Sequence, residues 1–302
     1  YAKSVIDEVN ITNKVASAGD IQAIYARERA ALVGAGLGIV GQWSFQEAVT
    51  ADAGAVKDSF GALHGSAKNG VASVAEGLEG KAARFDGVDD EIVIPNAAIL
   101  TPSNALTLSG WFKTTNLTTG DVTVSWVSKR DAYVFGPWKD GHASFFASLN
   151  GQYYEAESVA GTVKEGVWQH WVATYDGSAL TLYLNGTQVG KKPVSGAFGS
   201  GGDITLGHDP VANAPAIKRF FNGMMDEVQV YDKALTVEEV KALHTLQLTK
   251  FVAPAAPPKT LNVCGRISEA GSYILAESVK IGSGPCFVIE ASNVVFEGHS
   301  YT

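Results

Sequence analysis

Three aspartates crowd one short turn and make it the clearest candidate for metal chemistry in this sequence. Asp86, Asp89 and Asp90 fall within one turn-like run, where carboxylates repel one another unless something positive lies nearby. Hard cations such as Ca²⁺ prefer carboxylate and carbonyl oxygens as ligands, so the turn is a candidate calcium site of a structural kind. Arg84 or Lys233 could neutralise the same turn instead, and the sequence leaves that alternative open.

Aromatic side chains in the middle of the chain suggest a second kind of site, a platform for sugar rings. Such sites combine aromatic faces with a few polar groups, and we expect ligand contacts from Tyr133, Trp138, Tyr153 and Tyr154, which fall in or beside predicted loops. Trp138, in the turn-rich run 136–142, is expected to be the most exposed of them. The alternative is that these rings only pack at the edge of a sheet. The tryptophans expected in the core are Trp43, Trp111, Trp168 and Trp171.

The sequence has none of the short motifs that mark common hydrolases and nucleotide-binding enzymes. Gly-x-Ser-x-Gly, His-Glu-x-x-His and the Walker loop do not occur in it. His170 stands between Trp168 and Trp171 on a bulky strand, which favours a structural histidine over a catalytic one. His142 and His208 lie on predicted turns with no evident partner. We therefore expect no enzymatic activity from this chain.

Composition excludes some classes of partner. The net charge of −8 and the isoelectric point near 5.3 argue against nucleic acid and against anionic membrane surfaces. No run of about eighteen apolar residues marks a membrane span. The two cysteines, Cys264 and Cys286, lie near the C-terminus, and we expect a local disulfide formed in an oxidising compartment. Two buried thiols are the alternative.

Residues 168–190 give the clearest prediction of the strands and turns that would position these side chains. Asn185-Gly186 is a strong hairpin signal, because both residues tolerate the positive φ that a type I′ turn needs. Leu180, Leu182 and Leu184 alternate with less apolar residues, as in a strand that buries one face. The pattern predicts a three-stranded meander. A meander needs an opposing sheet to cover its apolar face, which predicts a two-layer β fold.

Seven segments, in order along the chain, resemble the laminin-G-like branch of the concanavalin A-like lectin/glucanase superfamily. They are GQWSF (41–45), RFDGVDDEIVI (84–94), ALTLSGWFK (105–113), WVSKRDAYVFG (126–136), VWQHWVATYDGSALTLYLNGTQVG (167–190), ITLGH (204–208) and RFFNGMMDEVQVYDKALTVEEVKAL (219–243). The resemblance covers about 36–247. It implies a mainly β fold, an antiparallel jelly-roll sandwich, and the capping-box signature at 236–239 predicts a short helix over 236–245 that closes it.

The same resemblance refines both site hypotheses. In this family the early and final strands lie side by side, which implies that Asp86 or Asp89 shares a calcium ion with Asp226. Retaining glucanases on this fold carry Glu-x-Asp-x-x-Glu on one strand, so that alternate carboxylates face one cleft. That motif does not occur here. The most similar stretch contains Glu155 and Glu157 but lacks the Asp and the third carboxylate. The resemblance therefore favours a binding domain over a glucanase.

The two ends of the chain differ from the middle. Residues 1–35 show helical spacing and resemble the membrane-distal part of the N-terminal helix of type IV pilin-like proteins, although a helix that packs on the sandwich is the alternative. The Pro- and Ala-rich stretch 248–262 is typical of a semi-rigid linker. Residues 263–302 resemble the entry coil of a right-handed parallel β-helix, in which a Cys264–Cys286 bridge would staple the open end. A small β extension of the sandwich is the alternative.

We expect a binding or adhesion module, located outside the cell or on its surface, that recognises a glycan or another surface ligand without catalysis. Display on a pilin-like filament, by self-assembly through the N-terminal helix, would fit residues 1–35. Two alternatives remain open: a structural filament subunit that carries the sandwich as a decoration, and an accessory domain of a carbohydrate-active enzyme. Neither a nucleic-acid partner nor a membrane span within the chain is expected.

Overall fold

The structure is a computed structural model that describes residues 38–47, 49, 56–78, 80–102, 104–117, 123–210 and 219–251, together with strands at 259–261, 265–267, 271–275, 287–289 and 294–297. The chain divides into two compact units between His244 and Thr245. The predicted N-terminal helix at 1–35 and the predicted bridge between Cys264 and Cys286 lie outside the described residues. No helix within those residues is both long and apolar enough to cross a bilayer.

The larger unit is a sandwich of two antiparallel sheets, which confirms the predicted fold class. The eight-stranded sheet consists of β1 (Ile39–Trp43), β3 (Ala72–Val74), β4 (Ala82–Asp86), β6 (Leu106–Thr114), β11 (Trp168–Tyr175), β12 (Ala179–Leu184), β13 (Thr187–Pro193) and β15 (Asn222–Tyr231). The seven-stranded sheet consists of β2 (Ser66–Lys68), β5 (Glu91–Ile94), β7 (Val127–Lys129), β8 (Tyr133–Pro137), β9 (Ala143–Leu149), β10 (Gln152–Glu157) and β14 (Ile204–Leu206). A 3₁₀ turn at Ala98–Leu100 leads from β5 towards β6.

Strand order in both sheets shows the crossovers of a jelly roll. The eight-stranded sheet runs β13-β12-β11-β6-β15-β4-β3, and β1 also pairs with β15. The seven-stranded sheet runs β10-β9-β8-β7-β14-β5-β2. The strands β7 to β10 are sequential neighbours, so residues between Val127 and Glu157 form one continuous half of that sheet. This half carries the candidate ligand site.

The meander predicted from residues 168–190 is present as β11, β12 and β13. Asn185 and Gly186 join the last two strands and have φ angles of 49° and 80°, so the turn uses the left-handed conformations that these residues tolerate. Asp176 Oδ1 accepts the backbone N–H groups of Ser178 and Ala179 at 2.8 Å, which fixes the preceding turn. The register of the eight-stranded sheet is therefore set locally on both sides of β12.

The core lies between the two sheets and is centred on stacked aromatic rings. Trp126 is fully buried and its ring stacks on that of Phe112, with 4.4 Å between centroids and 8° between planes. Phe135 meets the same indole edge-on at 5.2 Å. Phe112 belongs to the eight-stranded sheet and Phe135 to the seven-stranded one, so these contacts join the two layers. Aromatic pairs of this kind add about 0.5–1.5 kcal/mol beyond the area that they bury.

A helix, α1 (Val237–Phe251), follows the final strand of the sandwich. Its start is the predicted capping box, because the Thr236 N–H donates to Glu239 Oε2 and the Glu239 N–H donates to Thr236 Oγ1. The helix is longer than the predicted span of 236–245. Val240 and Leu243 pack with Val172 and other residues on the outer face of the eight-stranded sheet, so the helix covers that face.

The described residues of the smaller unit form five short strands in two parallel ladders. Its strands are β16 (Lys259–Leu261), β17 (Gly265–Ile267), β18 (Gly271–Leu275), β19 (Phe287–Ile289) and β20 (Val294–Glu297). The order is β16-β18-β20 in one ladder and β17-β19 in the other. Parallel pairing of strands that are close in sequence is the arrangement of a solenoid coil.

Candidate functional site

A cleft lies on the outer face of the seven-stranded sheet, the face turned away from the core. Tyr133 and Phe135 of β8 point into the core, so the residue between them, Val134, points outward. Phe146 of β9 lies directly opposite Val134 in the register. These two side chains line the floor of a cleft of ≈ 290 Å³, which is completed by Thr123, Arg130, Trp138, Tyr153, Asp209 and Arg219.

Trp138 forms one wall of this cleft. It is half-buried, whereas Tyr153 is 53% exposed, so the expectation that Trp138 is the most exposed of the four aromatics is wrong. Trp138 sits at the turn between β8 and β9, where its N–H donates to the carbonyl of His142 and its carbonyl accepts from Gly141. Gly141 has a φ of 79°, which a residue with a side chain adopts only under strain. The indole stacks on the His142 ring at 5.2 Å and 22°. The turn therefore holds the ring in place before any ligand arrives.

Tyr153 forms part of the opposite wall. It lies on β10, its side chain is 53% exposed, and its hydroxyl donates to Asp131 Oδ1 at 2.8 Å. Partial burial is the leading cause that raises the pKa of this phenol above its usual value, and the hydrogen bond to Asp131 adds to it. The ring therefore remains neutral and available for contact at neutral pH.

The two other predicted contact residues do not line the cleft. Tyr133 is only 1% exposed, because it points into the core and its hydroxyl donates to the Leu100 carbonyl at 2.8 Å. The prediction that Tyr133 contacts a ligand is therefore wrong. Tyr154 follows Tyr153 on β10 and so points to the other face of the strand, where it is half-buried against the core. Alternation along one strand separates these neighbouring tyrosines.

Two arginines that the sequence did not single out form the polar wall of the cleft. Arg130 Nη1 and Arg219 Nη1 both donate to Asp209 Oδ2, at 2.9 Å and 2.6 Å. Ser128 Oγ donates to the other oxygen of Asp209 at 2.9 Å, and this carboxylate is almost completely buried. The arginines are far apart in the chain. The only sequence signal for them was that both stand inside family-like segments, WVSKRDAYVFG and RFFNGMMDEVQVYDKALTVEEVKAL.

Glu155 is an acidic residue of β10 that stands beside Phe146 of the cleft floor. It lies opposite Phe146 in the register, and Ser144 Oγ donates to its Oε1 at 2.5 Å. Burial is the leading cause that raises the pKa of Glu155, and the neighbouring carboxylate of Glu157 raises it further. The two carboxylates alternate on one strand as the sequence suggested, but the Asp and the third carboxylate of the glucanase triplet are missing from it.

The three aspartates of the turn between β4 and β5 converge as predicted. Ligand oxygens of Asp86, Asp89 and Asp90 lie within 4.8 Å of one another. Asp90 is only 3% exposed: its Oδ2 accepts the Asp86 N–H, whereas its Oδ1 is buried with no hydrogen-bond partner. Burial is the leading cause that raises the pKa of Asp90, and the charges of Asp86 and Asp89 raise it further. A hard cation would satisfy that oxygen, so the donor set fits calcium.

Asp226 is separate from this cluster. The strands β4 and β15 do lie side by side, but Asp86 pairs with Asn222, so Asp226 lies four residues further along β15. That offset corresponds to about 13 Å at roughly 3.3 Å per residue. Asp226 is fully buried and accepts the N–H groups of Leu78 and Glu227 at 2.7 Å. The prediction that Asp226 shares an ion with Asp86 or Asp89 is therefore wrong.

Comparison with known families agrees with this architecture. A family model of the laminin-G-like type, described as the concanavalin A-like lectin/glucanases superfamily, matches residues 86–241, just over half of the chain. The chain belongs to this superfamily. The resemblance predicted from seven sequence segments is thereby confirmed, and so is the jelly-roll fold that it implied.

Several solved structures share this fold with the chain. The binding domain of Paraclostridial Mosquitocidal Protein 1 is 19% identical with a TM-score of 0.54, and the match covers 66% of this chain and 51% of that one. Domain 4 of AbnA, an extracellular arabinanase of family GH43 from Geobacillus stearothermophilus, was solved in complex with arabinotriose. It is 22% identical with a TM-score of 0.53, over 69% of this chain and 98% of that one.

A third similar structure is the ligand-binding domain of botulinum neurotoxin serotype D in complex with N-acetylneuraminic acid. It is 12% identical with a TM-score of 0.53, and the match covers 70% of this chain and 52% of that one. The chain thus spans about half the length of the toxin binding domains that it matches. At these identities the superfamily fold is what the chain shares with them. A search of curated protein sequences found no match.

Proposed function

We propose that this superfamily member is a non-catalytic module that binds a glycan in the cleft on the outer face of the seven-stranded sheet. The observation that carries the proposal is the arrangement of Trp138 and Tyr153 on either side of an apolar floor made by Val134 and Phe146. Sugar rings present apolar faces to aromatic side chains, and polar groups beside them fix the orientation.

The size of the cleft limits the length of ligand that it holds. Its volume of ≈ 290 Å³ lies at the lower end of small-molecule sites, which span about 300–1,000 Å³. A short segment of a glycan, one or two rings long, suits such a volume. Because the Trp138 ring is already held by its turn and by His142, little ordering is needed on binding, and this favours affinity.

Two of the similar structures support a sugar ligand. The arabinanase domain was solved with arabinotriose and the neurotoxin domain with N-acetylneuraminic acid. Both ligands are sugars, and the match covers 98% of the arabinanase domain and 52% of the neurotoxin domain. For this chain we propose a setting outside the cell or on its surface, with a role in adhesion, and display on a filament through residues 1–35.

A second candidate is an accessory domain of a carbohydrate-active enzyme. The match to domain 4 of the extracellular arabinanase covers 98% of that domain, so a unit of this kind occurs as one domain of a larger hydrolase. Both candidates place glycan binding at the same cleft. They differ in whether the complete protein also contains a catalytic domain, which the sequence of the full-length gene decides.

The proposal is tested by retention of the full chain on an immobilised glycan array. We expect the wild-type protein to bind a defined set of glycans and the Trp138→Ala variant to lose retention while its melting temperature stays near that of the wild type. Trp168→Ala is the matched control, because Trp168 lies in the other sheet and donates to the Glu76 carbonyl. A blank array for the wild-type protein would refute glycan binding.

We also propose that Asp86, Asp89 and Asp90 bind calcium in a structural role. The convergence of three carboxylates supports this, and so does the buried, unpartnered Oδ1 of Asp90. A cation there would offset the mutual repulsion of the three groups and tie the turn to the start of β5. We therefore expect calcium to stabilise the sandwich. The carboxylates of this turn would bind the ion, and Asp226 would take no part.

A further inference from the structure

The polar wall of the cleft carries more positive than negative charge. Arg130 and Arg219 share a single acceptor, Asp209 Oδ2, and the other oxygen of Asp209 is occupied by Ser128. One buried carboxylate therefore faces two guanidinium groups. The side chains of Arg130 and Arg219 are still 27% and 23% exposed. Asp209 is only 1% exposed and lies behind the two arginines. Its single negative charge neutralises one of the two guanidinium charges, and one net positive charge is left at the cleft.

Two residues that line the cleft have a buried hydrogen-bond donor with no partner in the part of the chain that the structure describes. Both arginines use Nη1 for Asp209, and Arg219 Nε has no partner among the residues that the structure describes. The same is true of Trp138 Nε1. Unpaired buried donors cost free energy, so a ligand that brings acceptor oxygens to this wall gains more than one that brings hydroxyl donors.

Among the residues that the structure describes, the acidic groups near the cleft do not cancel this excess at the Arg219 end. Asp131 lies 4.0 Å from Arg130 Nε, but its side chain is 71% exposed and it already accepts the Tyr153 hydroxyl. Charges that are exposed in this way are strongly screened by water and salt. Glu155 lies on the far side of Phe146, on β10, and is engaged by Ser144. The wall formed by Arg219 therefore stays positive.

We propose that the cleft selects a sugar that carries a carboxylate. The carboxylate would be bound at the wall formed by Arg130 and Arg219, while the sugar ring lies over Val134 and Phe146 between Trp138 and the Tyr153 side. A planar guanidinium edge matches a planar carboxylate, and the charge-assisted hydrogen bonds are about twice as strong as neutral ones. This inference rests on the glycan-binding function proposed above and specifies its substrate class.

The test uses pairs of ligands in which methyl esterification removes the charge of the carboxylate and keeps the same sugar rings. The full chain is titrated calorimetrically with oligogalacturonate and its methyl ester, and with sialyllactose and its methyl ester. For the pair that binds, we expect the carboxylated sugar to bind about tenfold to a hundredfold more tightly at low salt. The advantage should shrink as ionic strength rises, because the arginine side chains are partly exposed.

A charge-removing variant locates the effect. Arg219→Gln should reduce the preference for the carboxylated sugar to within about threefold while binding of the neutral partner persists. Lys192→Gln is the matched control, since Lys192 is exposed on β13 of the other sheet, and it should leave the preference unchanged. If Arg219→Gln does not fold, the ligand pairs on the wild-type chain still decide the matter.

Each other outcome overturns a separate claim. Equal affinity for the acid and its ester, or a preference for the neutral sugar, overturns the acidic-sugar assignment and leaves glycan binding intact. Tighter binding of a sulfated sugar than of any carboxylated one overturns the carboxylate in favour of a different anion. Absence of binding to every sugar in the panel, charged or neutral, overturns the proposed function itself.

Discussion

The buried His170 predicts a specific loss of stability in mild acid. Its ring is fully buried against the rings of Trp111 and His244, with centroids at 5.2 Å and 5.4 Å, and its Nε2 lies 2.9 Å from Ser109 Oγ. Burial, and secondarily the charge of His244, lowers the pKa of His170 from 6.5 to about 3. In the unfolded chain the same imidazole takes up a proton near pH 6.5, so unfolding becomes easier as the pH falls below that value.

The magnitude follows from the two pKa values. From pH 7 to pH 5 the excess of protons bound by the unfolded state at this position rises from about a quarter of a proton to nearly one. The free energy of unfolding should then fall by about 2 kcal/mol through His170 alone. At pH 7 both forms are mostly neutral and the stability contributed by this site is nearly complete. The stability is lost progressively as the pH falls towards about 3.

Two variants remove this titration in different ways. His170→Phe keeps an aromatic ring against Trp111 and His244, and His170→Gln keeps a polar group near Ser109. Each substitution lowers the free energy of unfolding at pH 7. On going from pH 7 to pH 5, however, the free energy of unfolding of each variant should fall by about 2 kcal/mol less than that of the wild type. His64→Gln, at a half-buried position elsewhere in the sandwich, controls for the loss of any one histidine.

Urea unfolding at pH 7, 6 and 5, followed by tryptophan fluorescence, measures these differences. All six tryptophans lie between Trp43 and Trp171, so the signal reports the sandwich and not the smaller unit. If His170→Phe and His170→Gln both keep the wild-type dependence on pH, the imidazole is not held neutral in the folded state. The inference from its burial would then be refuted.

Further predictions concern the metal turn and the tyrosines. Calcium should raise the melting temperature of the wild-type chain, and Asp90→Asn should abolish that rise; an equal rise in the variant would contradict the site. In EGTA, Asp90→Asn should raise the free energy of unfolding at pH 7, because the raised pKa of Asp90 means that stability is lost as the carboxyl ionises. Tyr133→Phe should cost about 1 kcal/mol in urea unfolding, through the lost bond to the Leu100 carbonyl, and leave glycan affinity unchanged. Tyr153→Ala should weaken glycan binding in calorimetry, because it removes the ring that lines the cleft, and should cost less than about 1 kcal/mol of stability, since that side chain is exposed; the reverse pattern would exchange the roles of the two tyrosines.

Features set by neighbouring residues were predictable from the sequence. The turn at Asn185 and Gly186 and the capping box at Thr236 and Glu239 depend on local backbone preferences, and both are present as predicted. The sandwich itself was predictable because its pieces occur in a family order. These features need no knowledge of which strands meet.

Features set by strand register were not predictable in the same way. The side-by-side placement of β4 and β15 follows from the family resemblance, but the pairing of Asp86 with Asn222 places Asp226 too far away to join the turn. Which face of the sheet an aromatic side chain points to depends in the same way on its position along the strand, because successive side chains point to opposite faces. Tyr133 points into the core, whereas Tyr153, which falls near the same loops, faces outward. A shift of one residue in the register would exchange such roles.

The polar wall of the cleft was beyond sequence reasoning for a different reason. Arg130 and Arg219 meet only because Asp209 binds both, and the three residues come from separate segments of the chain. Charged residues of these types are usually solvated on a surface. Without the sheet order, no pattern distinguishes them from such residues.

The most direct measurement of the central claim is a crystal structure of the chain with a glycan selected on the array. The account predicts a sugar ring in van der Waals contact, about 4 Å, with Trp138 and Phe146 on the outer face of the seven-stranded sheet. A glycan bound on the face of the eight-stranded sheet, or held only by the turn at Asp86 to Asp90, would contradict it.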